Sequence, residues 1–179
     1  YMDSSIERQI WTKSSLSRST WSDSHIFGKP HGTEYDSDAT SDSTVGNTDG
    51  VTTYFEHETG LNQVKEGAIT AITASIESGD FDIGQQGLGG DGEFMMKIRR
   101  VIPDFLTQTG DARVTLNLKN HPTDAQASSS LGPFTTTTST DKIDTRARAR
   151  AISLKVDNTS TGQHWKLGTF RLDIQPDGR

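Results

Sequence analysis

Apolar residues recur at every second position along much of this chain. In "ARVTLNLKN" Val114, Leu116 and Leu118 alternate with Arg113, Thr115, Asn117 and Lys119. Successive side chains of a strand point to opposite faces, so this spacing describes a half-buried β-strand. In "EFMMKIRRVIP" Phe94, Met96, Ile98 and Ile102 share a parity, with Arg100 among them, and the run stops at Pro103. Proline has no N–H to give to a ladder. "VTTYFEHE" (51–58) is rich in aromatic and β-branched residues and reads as another strand, as does "PFTTTTST" (133–140), placed at a sheet edge.

"GAITAITASIESG" is the one stretch that also fits a helix, through Ile69, Ile72 and Ile76. It fits a strand with Ile72, Ala74 and Ile76 inward, and its β-branched content favours the strand. The C-terminal part reads as a hairpin: Ile152, Leu154 and Val156 form an apolar row, "NTSTG" turns the chain, and "HWKLGTFRLDI" returns. Trp165 and Leu167 are odd while Phe170, Leu172 and Ile174 are even, which predicts a β-bulge near Gly168.

Polar stretches separate these patterns. Residues 33–50 ("TEYDSDATSDSTVGNTDG") read as a long polar insertion, 84–92 ("GQQGLGGDG") as a Gly-rich loop, and 121–133 as a third loose connection. Many short strands without a strong amphipathic helix predict an all-β fold of antiparallel sheets. "IWTKS" and "TWSDS" place Trp11 and Trp21 ten residues apart in similar contexts, a weak blade-like repeat. The expected organisation is a propeller-like β region over 1–83 carrying the insertion 33–50, the Gly-rich loop 84–92, and a C-terminal β module over 93–179.

Only 30% of the residues are hydrophobic, and Ser plus Thr make up about a quarter of the chain. That is little for a self-sufficient core, so the chain is expected to lean on neighbours, within a longer chain or in other subunits. It opens on Tyr1 inside strand-like sequence, which leads us to expect an upstream part. The absence of cysteine excludes disulfides and thiolate metal sites. No apolar run approaches the ~18 residues of a membrane span. A net charge of −6 argues against coating nucleic acid by bulk charge.

Several local patterns resemble sites without meeting their requirements. Gly87, Gly89 and Gly92 match G-x-G-x-x-G, but a dinucleotide site needs a following helix, and "EFMMKIRR" reads as a strand. Glu56 and Glu58 lie on one face of "YFEHE" and His57 on the other, which does not converge on a metal. Asp36, Asp38 and Asp42 lack the glycine and closing glutamate of a calcium loop. The five histidines (His25, His31, His57, His121, His164) are scattered in polar contexts, and no nucleophile elbow occurs. Asn158-Thr159-Ser160 matches a glycosylation acceptor. No catalytic, cofactor-binding or metal-binding residue is assigned.

The run "DTRARARAISLKV" poses a sharper problem. Arg146, Arg148 and Arg150 are two residues apart, so in a strand they form a ladder about 6.6 Å per step. Their parity continues into Ile152, Leu154 and Val156, which would put cations on the apolar face. Ala147, Ala149 and Ala151 would then face a close-packed layer. Unpaired cations there are costly, so partners are expected. DNA phosphates and carboxylates are the two options, and Glu77, Asp80, Asp82, Asp104, Asp144 and Asp173 all flank strand patterns. The acidic balance favours carboxylates, within or between subunits, and a ladder paired in this way would lock strands together.

"IESGDFDIG", "KIRRVIPDF", "RARAR" and "WKLGTFRLDIQPDGR", in that order, resemble the C-terminal part of short-tailed bacteriophage tail nozzle (tail tubular) proteins and the related packaged-DNA stabilisation proteins. "QIWTKSSLSRSTWSDSHIFGKPHG" and "YFEHETG" are similar to the stretch before it, while 33–50 looks like an insertion. The closing "WKLGTFRLDIQPDGR" is the most specific element. Where such proteins often show glycine between the later arginines, this chain has Ala149.

The resemblance implies a virion structural protein without catalysis, assembled in the bacterial host cytoplasm. It further implies a hexameric ring below the portal and adaptor, with β-propeller and other β domains around a DNA channel. Expected partners are further copies of the chain, the adaptor and portal-side tail proteins, tail fibres and, transiently, the phage DNA. Arg146, Arg148, Arg150, Trp165, Arg171 and Asp173 would be framework or interface positions. Two other readings stay open: a tail-associated glycan hydrolase, needing a cleft with paired carboxylates, and a glycan-binding module with an exposed platform such as Trp11 or Trp21. Core packing is the expected role of those tryptophans.

Overall fold

The computed structural model describes residues 18–36, 51–65, 67–84, 87–88, 90, 92–121 and 125–178. Expectations for Trp11, Asp38, Asp42 and most of the insertion lie outside them. The described part is nearly all β, its sheets are antiparallel, and its one helix, α1 (Ser24–Phe27), is a single turn. No described helix is long and apolar enough to cross a membrane. The chain divides into two compact units, Tyr1–Gly60 and Leu61–Arg179. The division therefore falls before residues 61–83, of which 75–77 pair with 155–157 and Phe81 bridges Ile152, and not at the Gly-rich stretch.

The first unit contains a sheet of β1 (Thr20–Ser22), β2 (His31–Asp36) and β3 (Val51–Glu56). Residues 33–36, read as the start of the polar insertion, belong instead to β2, where Thr33 lies opposite Tyr54 and Tyr35 opposite Thr52. Pairing with β3 outweighs the local polarity. Gly32 makes room on this sheet: a Cβ there would meet Arg18 and Trp21, each at 3.1 Å. Trp21 is not a core residue as expected. It is 56% exposed and lies over His57 at 4.6 Å.

The second unit opens with three short pieces, β4 (Asn62–Lys65), β5 (Ala68–Ala71) and β6 (Ser75–Glu77). "GAITAITASIESG" is thus strand and not helix, but interrupted at 72–74, and the expected inward row does not form: Ile72, Ala74 and Ile76 are exposed. The small β7 (Ile83–Gly84) and β8 (Gly87–Leu88) pair with each other inside the Gly-rich stretch. The longer strands follow: β9 (Met96–Ile102), β10 (Phe105–Thr109), β11 (Ala112–Lys119), β12 (Ser129–Thr136), β13 (Ile143–Ala149), β14 (Ala151–Asp157), β15 (His164–Leu167) and β16 (Arg171–Pro176).

Two sheets share one core. The four-stranded sheet has the order β12-β11-β14-β6, and the three-stranded sheet β13-β9-β16. Val114, Leu116, Leu118, Ile152 and Val156 of the first join Met96, Ile98, Val101, Ile143, Ala147 and Ala149 of the second in a single buried cluster. This is the arrangement of a sandwich, in which the inner faces of two sheets interdigitate. β11 shows why it forms: its burial alternates strictly over eight residues, as its sequence dictates. β12 is the expected edge strand, but it begins at Ser129, so 129–133 is strand and not loose loop. Its register slips against β11 at Gly132-Pro133, and proline is tolerated in strands at such edges and bulges.

The expected hairpin of β14 with the C-terminal residues does not form. β14 is hydrogen-bonded on one side to β11 and on the other to β6, so neither edge is free. The chain after Asn158 instead pairs β15 with β10 and β16 with β9. The parity change near Gly168 marks this crossing between sheets. A Cβ on Gly168 would lie 2.5 Å from the Asp104 carbonyl oxygen, which accepts the Gly168 N–H at 2.9 Å.

Candidate functional site: the arginine-bearing sheet

The arginine run spans the junction of the two sheets. β13 ends at Ala149, β14 starts at Ala151, and Arg150 is the bend between them. On β13 the alanines face the core: Ala147 and Ala149 have no exposed surface, while Arg146 and Arg148 are exposed. The expectation that the small residues meet a packed layer holds. The expectation that the arginines share a face with Ile152, Leu154 and Val156 does not, because the chain changes sheets at Arg150 and resets its parity there. The costly burial of three cations is thereby avoided.

A second device serves the same end. Along β9, ideal alternation would carry the buried parity of Met96 and Ile98 to Arg100. The register against β16 instead passes from Asp173↔Arg100 to Ile174↔Ile98, a bulge, and Val101 is buried in place of Arg100. On its other side β9 meets a bulge in β13, between Asp144↔Arg100 and Ala147↔Ile98. Without it Arg146 would stand opposite Ile98 and face the core. Two bulges at one step of β9 thus turn Arg100 and Arg146 outward, the re-aiming for which bulges are used.

Two of the three ladder arginines are engaged within the chain. Arg148 donates to the Asp177 carboxylate and backbone carbonyl. Arg150 donates from Nη1 to the carbonyls of Gly92, at 2.9 Å, and Glu93, at 2.7 Å. None of the acids expected as partners serves them. Asp144 instead binds Lys142 and Arg100, each at 3.3 Å, and these cations hold its carboxyl below the usual range, Lys142 foremost. Arg146 has no ion pair or hydrogen bond among the described residues. Arg171 is exposed at the position opposite Ile102, and Asp173 lies opposite Arg100 without an ion pair among the described residues.

Trp165 lies on β15 in the second unit. It packs against the core and stands edge-on to Phe105 at 6.5 Å. Its indole N–H donates to Asn158 Oδ1 at 3.1 Å. Asn158 is buried, accepts also from the Ala74 N–H at 3.2 Å, and donates to the Ile72 carbonyl at 2.9 Å. The amide of the glycosylation motif is therefore occupied in holding β14 to the 72–74 break.

Sequence reasoning missed the bidentate pair of Arg113 and Asp157, with both contacts at 2.8 Å, which sit opposite each other on β11 and β14. Their polar parity was legible, but the pairing of these strands was not. It also missed a cleft of about 440 Å³ whose walls include Glu77, Asp80, Asn117, Lys119 and Ser153. Two carboxylates there suggest hydrolysis, but Glu77 accepts from Ser153 Oγ and Asn117 Nδ2, each at 2.6 Å, and these donors lower its pKa. A general acid needs the opposite shift. Asp80 is paired with Lys119 at 2.5 Å.

In the first unit Arg18 lies 4.0 Å above the Phe55 ring and pairs with Glu34 at 3.0 Å. Burial, reinforced by Arg18, lowers the pKa of His57. Among the described residues no three His, Asp or Glu side chains converge as a metal site. Met96–Ile102 is a strand, so no helix follows the G-x-G-x-x-G match. Comparison with family models, curated proteins and solved structures yields no match.

Proposed function

We propose that the chain is a structural component of a short-tailed bacteriophage virion, part of the tail nozzle that retains packaged DNA and passes it during ejection. The ordered resemblance of its strand-rich segments, above all "WKLGTFRLDIQPDGR", carries this reading. The geometry that supports it is the use of the arginine run. Arg148 clasps the segment after β16 and Arg150 the segment before β9, so two neighbouring strand ends at one end of the same β layer are fastened by guanidinium groups. That is a framework use of arginine, suited to a part that bears load. The reading includes a hexameric ring with propeller blades, and neighbours on the adaptor, portal and fibre sides. An acidic chain also suits a conduit that lets a polyanion slide.

The rival reading is a glycan-binding or glycan-hydrolysing tail protein, which the exposed Trp21 keeps in view. The mass of the full-length protein in solution, measured beside polysaccharide cleavage, separates the two. A ring-sized oligomer without cleavage is expected. A monomer that cleaves or tightly binds glycans overturns the proposal.

A further inference from the structure

The outward face of β9 and β13 holds a cleft of about 440 Å³ whose walls include Lys97, Arg99, Arg100 and Arg146, with Asp144 and Thr145. Four cations against one carboxylate is an unusual balance in a chain of net charge −6. The carboxylate is already committed, to Lys142 and Arg100. Lys97, Arg99 and Arg146 have no ion pair among the described residues. The two bulges described above direct Arg100 and Arg146 to this same face, at the cost of regular ladder pairing on both sides of β9. The Thr145 hydroxyl, in the same wall, is buried without a hydrogen-bond partner. Buried polar groups are normally satisfied, so this orphan is a further departure from regular packing at the bulge.

The donors also discriminate between ligands. A carboxylate offers two coplanar oxygens, which one guanidinium fork can satisfy. Three uncommitted cations exceed that. A phosphoryl group offers more oxygens in a tetrahedral array, and the guanidinium fork matches it equally well. We propose that this cleft binds phosphoryl oxyanions, presented either as free phosphate compounds or as a nucleic-acid backbone. The proposal does not rest on the virion reading and stands or falls separately.

The test is calorimetric titration of the full chain with three probes: inorganic pyrophosphate, a short single-stranded oligonucleotide, and a polyglutamate peptide. Saturable binding of a phosphate probe is expected. Arg146→Gln, Arg99→Gln and Lys97→Gln should each weaken it roughly tenfold. Lys166→Gln, which removes an exposed cation from β15, should leave it unchanged. Arg146→Lys, which keeps the charge without the fork, should fall between wild type and Arg146→Gln. For the oligonucleotide, neutralising three phosphates gives a slope of log K against log salt of about −2. Tighter binding of the oligonucleotide identifies a nucleic-acid source, and binding of pyrophosphate alone identifies free phosphate. Either upholds the proposal. Lack of saturable binding by both phosphate probes, affinity unaffected by the three glutamine variants, or a polyglutamate peptide binding as tightly would overturn it.

Discussion

Arg148 holds Asp177 twice, its Nε donating to the carboxylate and its Nη2 to the carbonyl of the same residue at 3.1 Å. One guanidinium thus ties β13 to the segment that follows β16, across the intervening β9. The pair is half-exposed, so its contribution is modest, about 0.5–1 kcal/mol. Arg148→Gln should speed amide exchange in 174–177 more than it lowers the melting temperature. Asp177→Asn should do the same, and the double variant should add little. Additive effects would show that the two side chains act independently.

Asn158 is the more expensive loss. Its side chain joins the Trp165 indole, the Ala74 N–H and the Ile72 carbonyl. Asn158→Ala leaves these groups without partners and should cost at least about 2 kcal/mol in denaturant unfolding. Trp165→Phe keeps most of the apolar surface and loses one of the bonds, so its effect should be smaller.

The shared core predicts a single cooperative transition for the second unit. Leu116 has no exposed surface and sits in the cluster fed by both sheets. Leu116→Ala should destabilise by about 2–5 kcal/mol. Gly168→Ala should also destabilise, because the added methyl meets the Asp104 carbonyl oxygen. A wild-type melting temperature in that variant would refute the close approach at the crossing.

Glu77 gives a pH signature. The Ser153 hydroxyl and then the Asn117 amide hold its carboxylate below the usual value of 4.5. The folded state therefore binds this proton less readily than the unfolded state. The resulting stability is fully present above about pH 4.5 and is lost as pH falls through the lowered folded value. The gap in stability between wild type and Glu77→Gln should be constant from neutral pH down to that point and then close. A gap that widens on acidification would reverse the assignment.

Local period and strand type were legible in the sequence because they depend on neighbouring residues. β11, β9 and β3 follow from alternation and β-branched content, and the end of β9 follows from Pro103. Partner choice was not legible, because it depends on which edges are already taken. β14 looked like half of a hairpin until both its edges were found paired with β11 and β6. The arginine ladder shows both sides. Ala147 and Ala149 were read correctly as the packed face. A one-residue bend at Arg150 then reversed the parity that linked the arginines to the apolar row, and a bulge beside Arg146 turned it outward. Bends and bulges of one residue leave composition unchanged, so periodicity carries the wrong face across them. Intrachain engagement of Arg148 and Arg150 agrees with a fastening role, and Arg146 instead opens the cleft proposed above.

We propose that this chain is built into a phage tail. The most direct test is electron microscopy of the purified particle, with the chain located by a label or by fitting its sandwich into density. A ring of copies below the portal and adaptor, encircling the DNA path, is the expected result. Particles that lack the chain, or that carry it only at fibre tips, would contradict it.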